Sequence, residues 1–263
     1  MRIVLIKYFK FVSYGLLFLI LAPIAFFSIT NHTQSSVWFT ILIIVGFVGF
    51  GVISFLKSFL MRGTLKILFE ECSPEKFLNE ALAFAAAEND KKMQLNFLNW
   101  VLIGQIANGK LEDAGKTQNV MESKFDEKLP VGLRATFSVS FSTLCVAKHE
   151  ISQAEDWMKK AEALAQAKPF GQVEKKRITH AVVINQCEID VMLGKFEGIE
   201  DKLKSVLEFE VRRSVLVRTR LLLARAYKGM GSIAQAKREL EFVIENGNKL
   251  LEVEIALQIM AEM

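Results

Sequence analysis

The sequence of 263 residues contains few of the residues that cross-link or interrupt a chain: three cysteines, four prolines and 15 glycines. Three cysteines exclude a small secreted domain that disulfides hold together. The low proline and glycine content excludes a collagen-like or low-complexity chain. The histidines and cysteines occur singly, and motifs for a nucleophilic serine, a zinc protease or a dinucleotide are absent. We therefore expect no metal site, no cofactor and no enzyme activity.

Acidic residues are missing from the first 66 residues, which hold six of the 33 lysines and arginines and none of the 29 aspartates and glutamates. The other 197 residues therefore carry 27 bases and 29 acids, so the net charge of +4 belongs to the amino-terminal segment. A nucleic-acid-binding domain carries clustered bases interleaved with aromatic residues. Because residues 67–263 lack that pattern, we expect no nucleic acid partner.

Two long runs without a charged residue lie in the amino-terminal segment, at residues 11–29 and 37–56. A helix of about 20 residues, with a rise of about 1.5 Å per residue, is long enough to cross the hydrocarbon core of a bilayer. The sequence therefore predicts a two-helix transmembrane hairpin within residues 1–66, with a cleaved signal peptide and one span as the alternative. Neither run contains the charged groups that line a transport route, so we expect an anchor.

Basic residues flank both runs, whereas the connection at residues 30–36 has none. Flanks on the cytoplasmic side of a membrane are enriched in lysine and arginine. We therefore expect a multi-pass protein of the cell membrane, in the bacterial style, with both termini in the cytoplasm. Residues 67–263 would then form a cytoplasmic domain.

Apolar residues in this domain recur at intervals of three and four, without a long alternation of apolar and polar residues. This periodicity predicts an all-α fold. Ser73 and Pro74 match a helix start, with serine as the N-cap and proline in the first turn. A last helix is expected over residues 249–263.

A segment near the end of the sequence places small and turn residues at regular points. Ala224 is expected at the first close approach of two helices, Gly231 at the turn and Ala236 at the second close approach, with Tyr227 between them. Helices approach closely only where small residues meet, and glycine supplies the backbone freedom that ends the first helix. Over residues 217–250 this pattern closely resembles the tetratricopeptide repeat.

Weaker copies of the pattern have their turns at Gly109, His149 and Gly194, and the copy at His149 lacks the turn glycine. The anchor residues of the four copies lie 40, 45 and 37 residues apart: Ala114, Ala154, Ile199 and Ala236. A regular repeat of this family has about 34 residues. The resemblance therefore implies a degenerate tetratricopeptide-like α-solenoid over residues 67–263, with a non-repeating helical bundle as the alternative.

In solenoids of this family the first helices of the hairpins line a concave face that binds partners. The resemblance implies a partner groove lined here by twelve residues: Asn96, Asn99, Ile103, Thr136, Val139, Thr143, Ile184, Glu188, Arg218, Leu221, Arg225 and Lys228. Arg218, Arg225 and Lys228 would share one helix face, which suits an acidic peptide or a C-terminal carboxylate. The alternative is a solvated face whose bases pair with Glu239 and Glu241 of the same hairpin.

Together these expectations describe a membrane-anchored adaptor or scaffold that binds partner proteins or peptides at the cytoplasmic face of the membrane. A peptide- or ligand-sensing receptor that signals through the transmembrane hairpin is the alternative. A membrane enzyme is disfavoured, because the sequence lacks the paired ionisable groups of an active site.

Overall fold

A computed structural model describes residue 15 and residues 35–166 and 171–263. Over these residues the chain forms eleven α-helices and no strand, which confirms the predicted all-α class. In chain order the helices are α1 Ser35–Phe69, α2 Pro74–Ala87, α3 Lys91–Ala107, α4 Leu111–Glu122, α5 Val131–Ala147, α6 Ile151–Gln166, α7 Gln172–Met192, α8 Ile199–Phe209, α9 Arg213–Gly229, α10 Ile233–Asn246 and α11 Leu251–Ala261.

Only the second of the two predicted membrane spans lies in the part of the chain that the structure describes as a helix. Residues 11–29 lie outside the described residues, and residues 37–56 belong to α1. A search of the described residues for a helix with the length and apolarity needed to cross a membrane finds none. The transmembrane hairpin stays a prediction.

Helix α1 extends into the core of the helical domain. Leu60, Met61 and Leu65 pack against the core, and Ile67 and Leu68 are buried in it. The helical domain therefore begins inside α1, before the boundary that the sequence predicts after residue 66.

Eight of the helices form four hairpins, α3–α4, α5–α6, α7–α8 and α9–α10. The predicted anchor residues of the second helices are all fully buried: Ala114, Ala154, Ile199 and Ala236. The first helices of neighbouring hairpins also contact each other, α3 with α5, α5 with α7 and α7 with α9. This arrangement of the described residues is compatible with a helical solenoid.

The four hairpin turns share one backbone conformation, in which a residue just after the first helix has a positive φ. Gly109 (69°), Gly194 (70°) and Gly231 (76°) supply this conformation, and His149 adopts it at 62°. In each turn the next residue donates its backbone N–H to the carbonyl oxygen five positions back, at 2.8–2.9 Å. The copy without a glycine therefore ends its first helix in the same way as the others.

The two ends of this array pack against each other. One core cluster combines buried residues of α1–α3 with buried residues of α9–α11, among them Ile67, Phe77, Phe97, Trp100, Val217, Leu221, Leu240 and Ala256. The guanidinium of Arg212, just before α9, also lies over the Phe69 ring at the end of α1, 5.1 Å from its centroid. The predicted repeat pattern gives no indication of this contact between the first and last helices.

Two hydrogen bonds join the α1–α2 connection to the α10–α11 connection. Asn248 donates from Nδ2 to the backbone carbonyl oxygen of Glu71 at 2.7 Å. The backbone N–H of Lys249 donates to the backbone carbonyl oxygen of Cys72 at 3.2 Å. Cys72 and Asn248 both have positive φ, 51° and 50°. Both connections therefore turn sharply where they meet.

The residues at the helix ends largely match those expected from the sequence, with small differences in capping and length. Helix α2 begins at Pro74, and Ser73 occupies its N-cap position without a side-chain hydrogen bond. Asp90 caps α3, because its Oδ1 accepts a hydrogen bond from the N–H of Met93 at 2.9 Å. Helix α11 is shorter than the predicted last helix over residues 249–263.

Candidate partner-binding face

Three basic residues of α9 are each paired with a carboxylate. Arg218 and Arg225 both reach Glu188 on α7, with Nη2 of Arg218 at 2.7 Å from Oε2 and Nη1 of Arg225 at 3.8 Å from Oε1. Lys228 Nζ lies 2.6 Å from Oε2 of Glu262, the residue that follows α11. The three bases of α9 therefore share two carboxylates, Glu188 on the neighbouring hairpin and Glu262 after α11.

Hydrogen bonds continue from Arg218 across the first helices of three hairpins. Arg218 Nη2 donates to Oδ1 of Asn185 at 2.9 Å. Asn185 Nδ2 in turn donates to Ser142 Oγ at 2.7 Å and to Thr143 Oγ1 at 3.1 Å. The connected side chains, here named the polar network, are Ser142, Thr143, Asn185, Glu188, Arg218 and Arg225. They link α5, α7 and α9, three of the four helices that were expected to line the groove.

The alternative pairing within the last hairpin occurs for a different base. Glu239 Oε2 lies 2.8 Å from Nη1 of Arg220, whose side chain also covers the Phe242 ring at 4.2 Å from its centroid. Arg218 and Arg225 instead bind Glu188, so these two bases face the neighbouring hairpin. Glu241 is exposed.

The twelve residues predicted to line the groove fall into three groups. Four belong to the polar network: Thr143, Glu188, Arg218 and Arg225. Five more are half-buried or exposed on α3, α5 and α9: Asn96, Ile103, Thr136, Val139 and Lys228. Three are buried, with 2%, 4% and 5% of their surface exposed: Asn99, Ile184 and Leu221.

Two residues of the third group are buried in different places, Leu221 where the ends of the array meet and Ile184 within the last two hairpins. Leu221 belongs to the core cluster that includes α1, α2 and α11, and Ile103 packs against the same cluster. Ile184 belongs to a second cluster, together with residues of α8, α9 and α10. Asn99, Ile184 and Leu221 therefore face packed neighbours, and an open groove along all twelve residues is not what the structure has.

Sequence reasoning missed three polar residues at this face. Asn185 lies three positions before Glu188 on the same helix, and Ser142 lies three positions after Val139, so helical spacing could have indicated both. Glu252 on α11 could not be found in this way. Its proximity to α9 depends on how the ends of the array pack, for which no local pattern exists.

Glu252 adds a second carboxyl group beside the polar network. Burial raises the pKa of the Glu252 carboxyl, the positive charge of Arg218 opposes this rise, and the negative charge of Glu188 adds to it. Its Oε2 atom is buried and has no hydrogen-bond partner among the described residues. The carboxylate form is therefore disfavoured at this position.

The three cysteines are buried thiols. Burial raises the pKa of Cys72, Cys145 and Cys187 to about 11 in each case. The thiolate is the nucleophilic form of cysteine. These side chains therefore remain protonated near neutral pH and act as small core residues.

The part of α1 that precedes the core carries large apolar side chains that are exposed to solvent. The exposed residues, here named the apolar face of α1, are Ile44, Val45, Val48, Val52, Phe55, Leu56 and Phe59. Where this face ends, Lys57 Nζ lies 2.8 Å from Oε2 of Glu88 on the connection after α2. One turn beyond the face, Thr64 Oγ1 donates a buried hydrogen bond to Oε2 of Glu80 at 2.6 Å. Two polar contacts thus fix α1 against α2 as the helix enters the core.

A scan against models of protein families finds no match, and searches of curated proteins and of solved structures find no significant similarity. Three features of the described residues bear on function: the helical array, the polar network and the apolar face of α1.

Proposed function

We propose that the chain is a membrane-anchored adaptor whose degenerate tetratricopeptide-like hairpins hold partner proteins or peptides at the cytoplasmic face of the membrane. The observation that carries the proposal is helix α1, whose exposed apolar face continues without a break into the turns that pack in the core. Contiguous exposed apolar surface on a protein is typical of contact with a membrane or another protein. A domain joined in this way is held at the apolar helix without a flexible linker.

Membrane anchoring is supported by the chemistry of α1 and of the sequence before it. Removing apolar surface from water is favourable by about 25 cal/mol per Å², so the seven side chains of the apolar face favour a nonpolar environment. Lys57, Arg62 and Lys66 follow the uncharged run, and bases at such a place favour the cytoplasmic side. We therefore propose two spans, residues 11–29 and 37–56, with both termini in the cytoplasm.

Partner binding is supported by the polar network. The side chains of Arg218 and Arg225 are 27% and 31% exposed, so a carboxylate from another protein can reach them. Stacked helical hairpins present extended surfaces that bind peptides. An acidic peptide or a C-terminal carboxylate fits such a surface. The high pKa of the buried thiols supports a role without catalysis.

Charge reversal on α9 tests partner binding. The full chain carrying Arg225→Glu and Lys228→Glu is compared with the wild type in crosslinked purification from native membranes. We expect the recovery of crosslinked partners to fall by roughly tenfold or more, because truncating or reversing charges at a binding face costs several kcal/mol. The matched control carries Lys237→Glu and Arg238→Glu, which make the same charge change at exposed positions of α10. Equal recovery from wild type and from the α9 variant would contradict the proposal.

Topology and extraction test the anchor. A fluorescent protein fused after Met263 is expected to fluoresce, because the proposal places that end in the cytoplasm. The chain is also expected to stay in the pellet when native membranes are washed at alkaline pH. A phosphatase fusion that is active outside the membrane, or release of the chain by the alkaline wash, would contradict the anchor.

A second candidate is a receptor that responds to a peptide and signals through the apolar helix. The observation that favours it is the shared core, in which Ile67 and Leu68 of α1 cluster with Val217 and Leu221 of α9. Hydrogen exchange separates the two candidates. A receptor predicts that an acidic peptide changes the protection of residues 60–69, whereas an adaptor predicts changes confined to the binding helices.

A further inference from the structure

One basic residue of α9, Lys228, is paired from within the chain with the residue that follows α11, whereas Arg218 and Arg225 bind Glu188 on α7. Lys228 Nζ lies 2.6 Å from Glu262 Oε2. At the other end of α11, the charge of Arg218 acts on the carboxyl of Glu252. The helix thus has a buried carboxyl group, Glu252, near its start, and the paired carboxylate of Glu262 just after its end.

Between these two acids, α11 presents an apolar side to the core. Ala256 is buried, and Ile255, Ile259 and Met260 are partly buried against the cluster that includes Val217 of α9. Ala256 is the one buried residue of α11, whereas α9 has eight. Helix α11 is therefore an acid-containing helix that rests on α9, α10 and the adjoining core, with a single fully buried residue.

We propose that this face of α9 and the adjoining core is a binding surface for an acidic amphipathic helix, and that α11 occupies it until a partner helix displaces α11. The inference rests on the proposed adaptor function and names the class of partner. The pattern of α11 begins with an acid, Glu252, which is followed by apolar residues three, four, seven and eight positions later. A second acid, Glu262, lies ten positions after the first. Helices that bind in grooves use anchors at this kind of spacing.

Exchange between α11 and a partner helix is favoured by the exposure of the contact at its end. The side chains of Lys228 and Glu262 are 32% and 65% exposed, and ion pairs of this kind contribute little to stability. A tethered helix competes at an effective concentration of roughly millimolar. A partner therefore needs contacts beyond those of α11, and the polar network next to this surface, with Arg225 half-buried, offers them.

Titration with a synthetic helix tests the proposal. The probe is a fluorescein-labelled peptide with the sequence of residues 248–263, added to the full chain in detergent micelles. We expect roughly threefold to fivefold tighter binding to Glu262→Lys than to wild type, because the variant's own α11 loses its contact with Lys228. The matched control is Glu254→Lys, which makes the same charge change at an exposed position of α11 and should bind the peptide as the wild type does.

A variant in which the charges at positions 228 and 262 are exchanged should change the affinity for the peptide in the opposite direction. The double variant Lys228→Glu with Glu262→Lys restores an internal ion pair of reversed polarity. The acid of the added peptide then meets a negative charge at position 228. We expect the double variant to bind the peptide more weakly than the wild type does.

Hydrogen exchange on the full chain tests the same proposal without a ligand. We expect the amides of α11 to exchange at least roughly tenfold faster than those of α9, and faster still in Glu262→Lys. Equal protection of α9 and α11, no binding of the peptide, or equal affinity of wild type and Glu262→Lys would overturn the inference. These outcomes leave the proposed adaptor function standing, because that function is contradicted separately, by equal partner recovery from the α9 reversal variant.

Discussion

Asn248 donates a hydrogen bond from its side-chain amide to the backbone carbonyl oxygen of Glu71, at 2.7 Å and across 177 positions of the sequence. With the neighbouring bond from Lys249 to Cys72, it fastens the start of the helical array to its end. The core cluster beneath these bonds contains buried residues of α1–α3 and α9–α11. The junction is therefore both hydrogen-bonded at the surface and apolar underneath.

Substitution of Asn248 measures what this junction contributes. Asn248→Ala removes the hydrogen bond and places an alanine at φ 50°, where an L-residue is strained. We expect a loss of about 1–2 kcal/mol in the free energy of unfolding. Asn248→Gly also removes the bond but relieves the backbone, so it should lose less. Urea unfolding of the two variants checks this order, and an alanine variant as stable as the glycine variant would contradict it.

Glycine at position 149 should stabilise the chain. His149 is exposed and has φ 62°, the conformation that glycine supplies in the other three hairpin turns. Glycine has no Cβ to strain in this region, so we expect His149→Gly to raise the free energy of unfolding by about 1 kcal/mol. Thermal unfolding at constant pH measures the change as a rise of about 2–4 °C in Tm.

The reverse substitution at an equivalent turn is the matched control. Gly231 has φ 76°, and a Cβ added there would meet no atom within 4 Å. Gly231→Ala therefore isolates the backbone effect, and we expect it to lower the free energy of unfolding by about 1–2 kcal/mol. If His149→Gly lowers the Tm as well, backbone strain does not dominate at position 149.

The contact between Arg218 and Glu188 should show coupling in a double-mutant cycle. Arg218→Met removes one hydrogen bond from Glu188 and one from Asn185, and Glu188→Met leaves Arg218 without its carboxylate. We expect each single variant to lose about 1–3 kcal/mol, and the double variant to lose less than the sum of the two. The same cycle on Arg220 and Glu239, which are paired at 2.8 Å within one hairpin, provides the comparison. Additive losses at Arg218 and Glu188 would contradict the role of the polar network in joining hairpins.

Stability should depend on pH through Glu252. The folded chain raises the pKa of this carboxyl above its ordinary value of 4.5, so the protonated form favours folding. Its contribution to stability is fully present below pH 4.5 and is lost as the pH rises through the raised value. Glu252→Gln keeps a neutral side chain of the same size at every pH. We expect this variant to unfold at higher temperature than the wild type at pH 8.

The difference in Tm between Glu252→Gln and wild type should shrink as the pH falls toward 4.5. Glu254→Gln, an exposed acid on the same helix, serves as the control and should leave the pH dependence of the wild type unchanged. A constant difference between Glu252→Gln and wild type across pH would show that Glu252 does not titrate differently in the folded chain.

The sequence predicts the local parts of this fold because local chemistry determines them. Gly231 ends a helix and Ala236 is buried at the following close approach, as their residue types and spacing indicate. The spacing predicts a turn at His149, but its residue type does not indicate the positive φ that the two joined helices impose. In that turn, tertiary packing prevails over residue preference.

The long-range parts of the fold were not predictable from periodicity. Leu221 has the spacing of a residue on a partner-facing side, yet it is buried because the ends of the array meet there. Asn185 bridges α5, α7 and α9 through its side-chain amide, and no one-dimensional pattern specifies which helix its partners occupy. The twelve-residue groove therefore reduces to a smaller charged face next to α11.

The junction between Glu71 and Asn248 also limits how this architecture can change by duplication. An array with two separate ends can gain or lose a hairpin, because each added unit requires only its immediate neighbour. Here an inserted hairpin would carry the α10–α11 connection away from the α1–α2 connection and break both hydrogen bonds and the core beneath them. The junction therefore requires the number of hairpins between its two halves to stay the same.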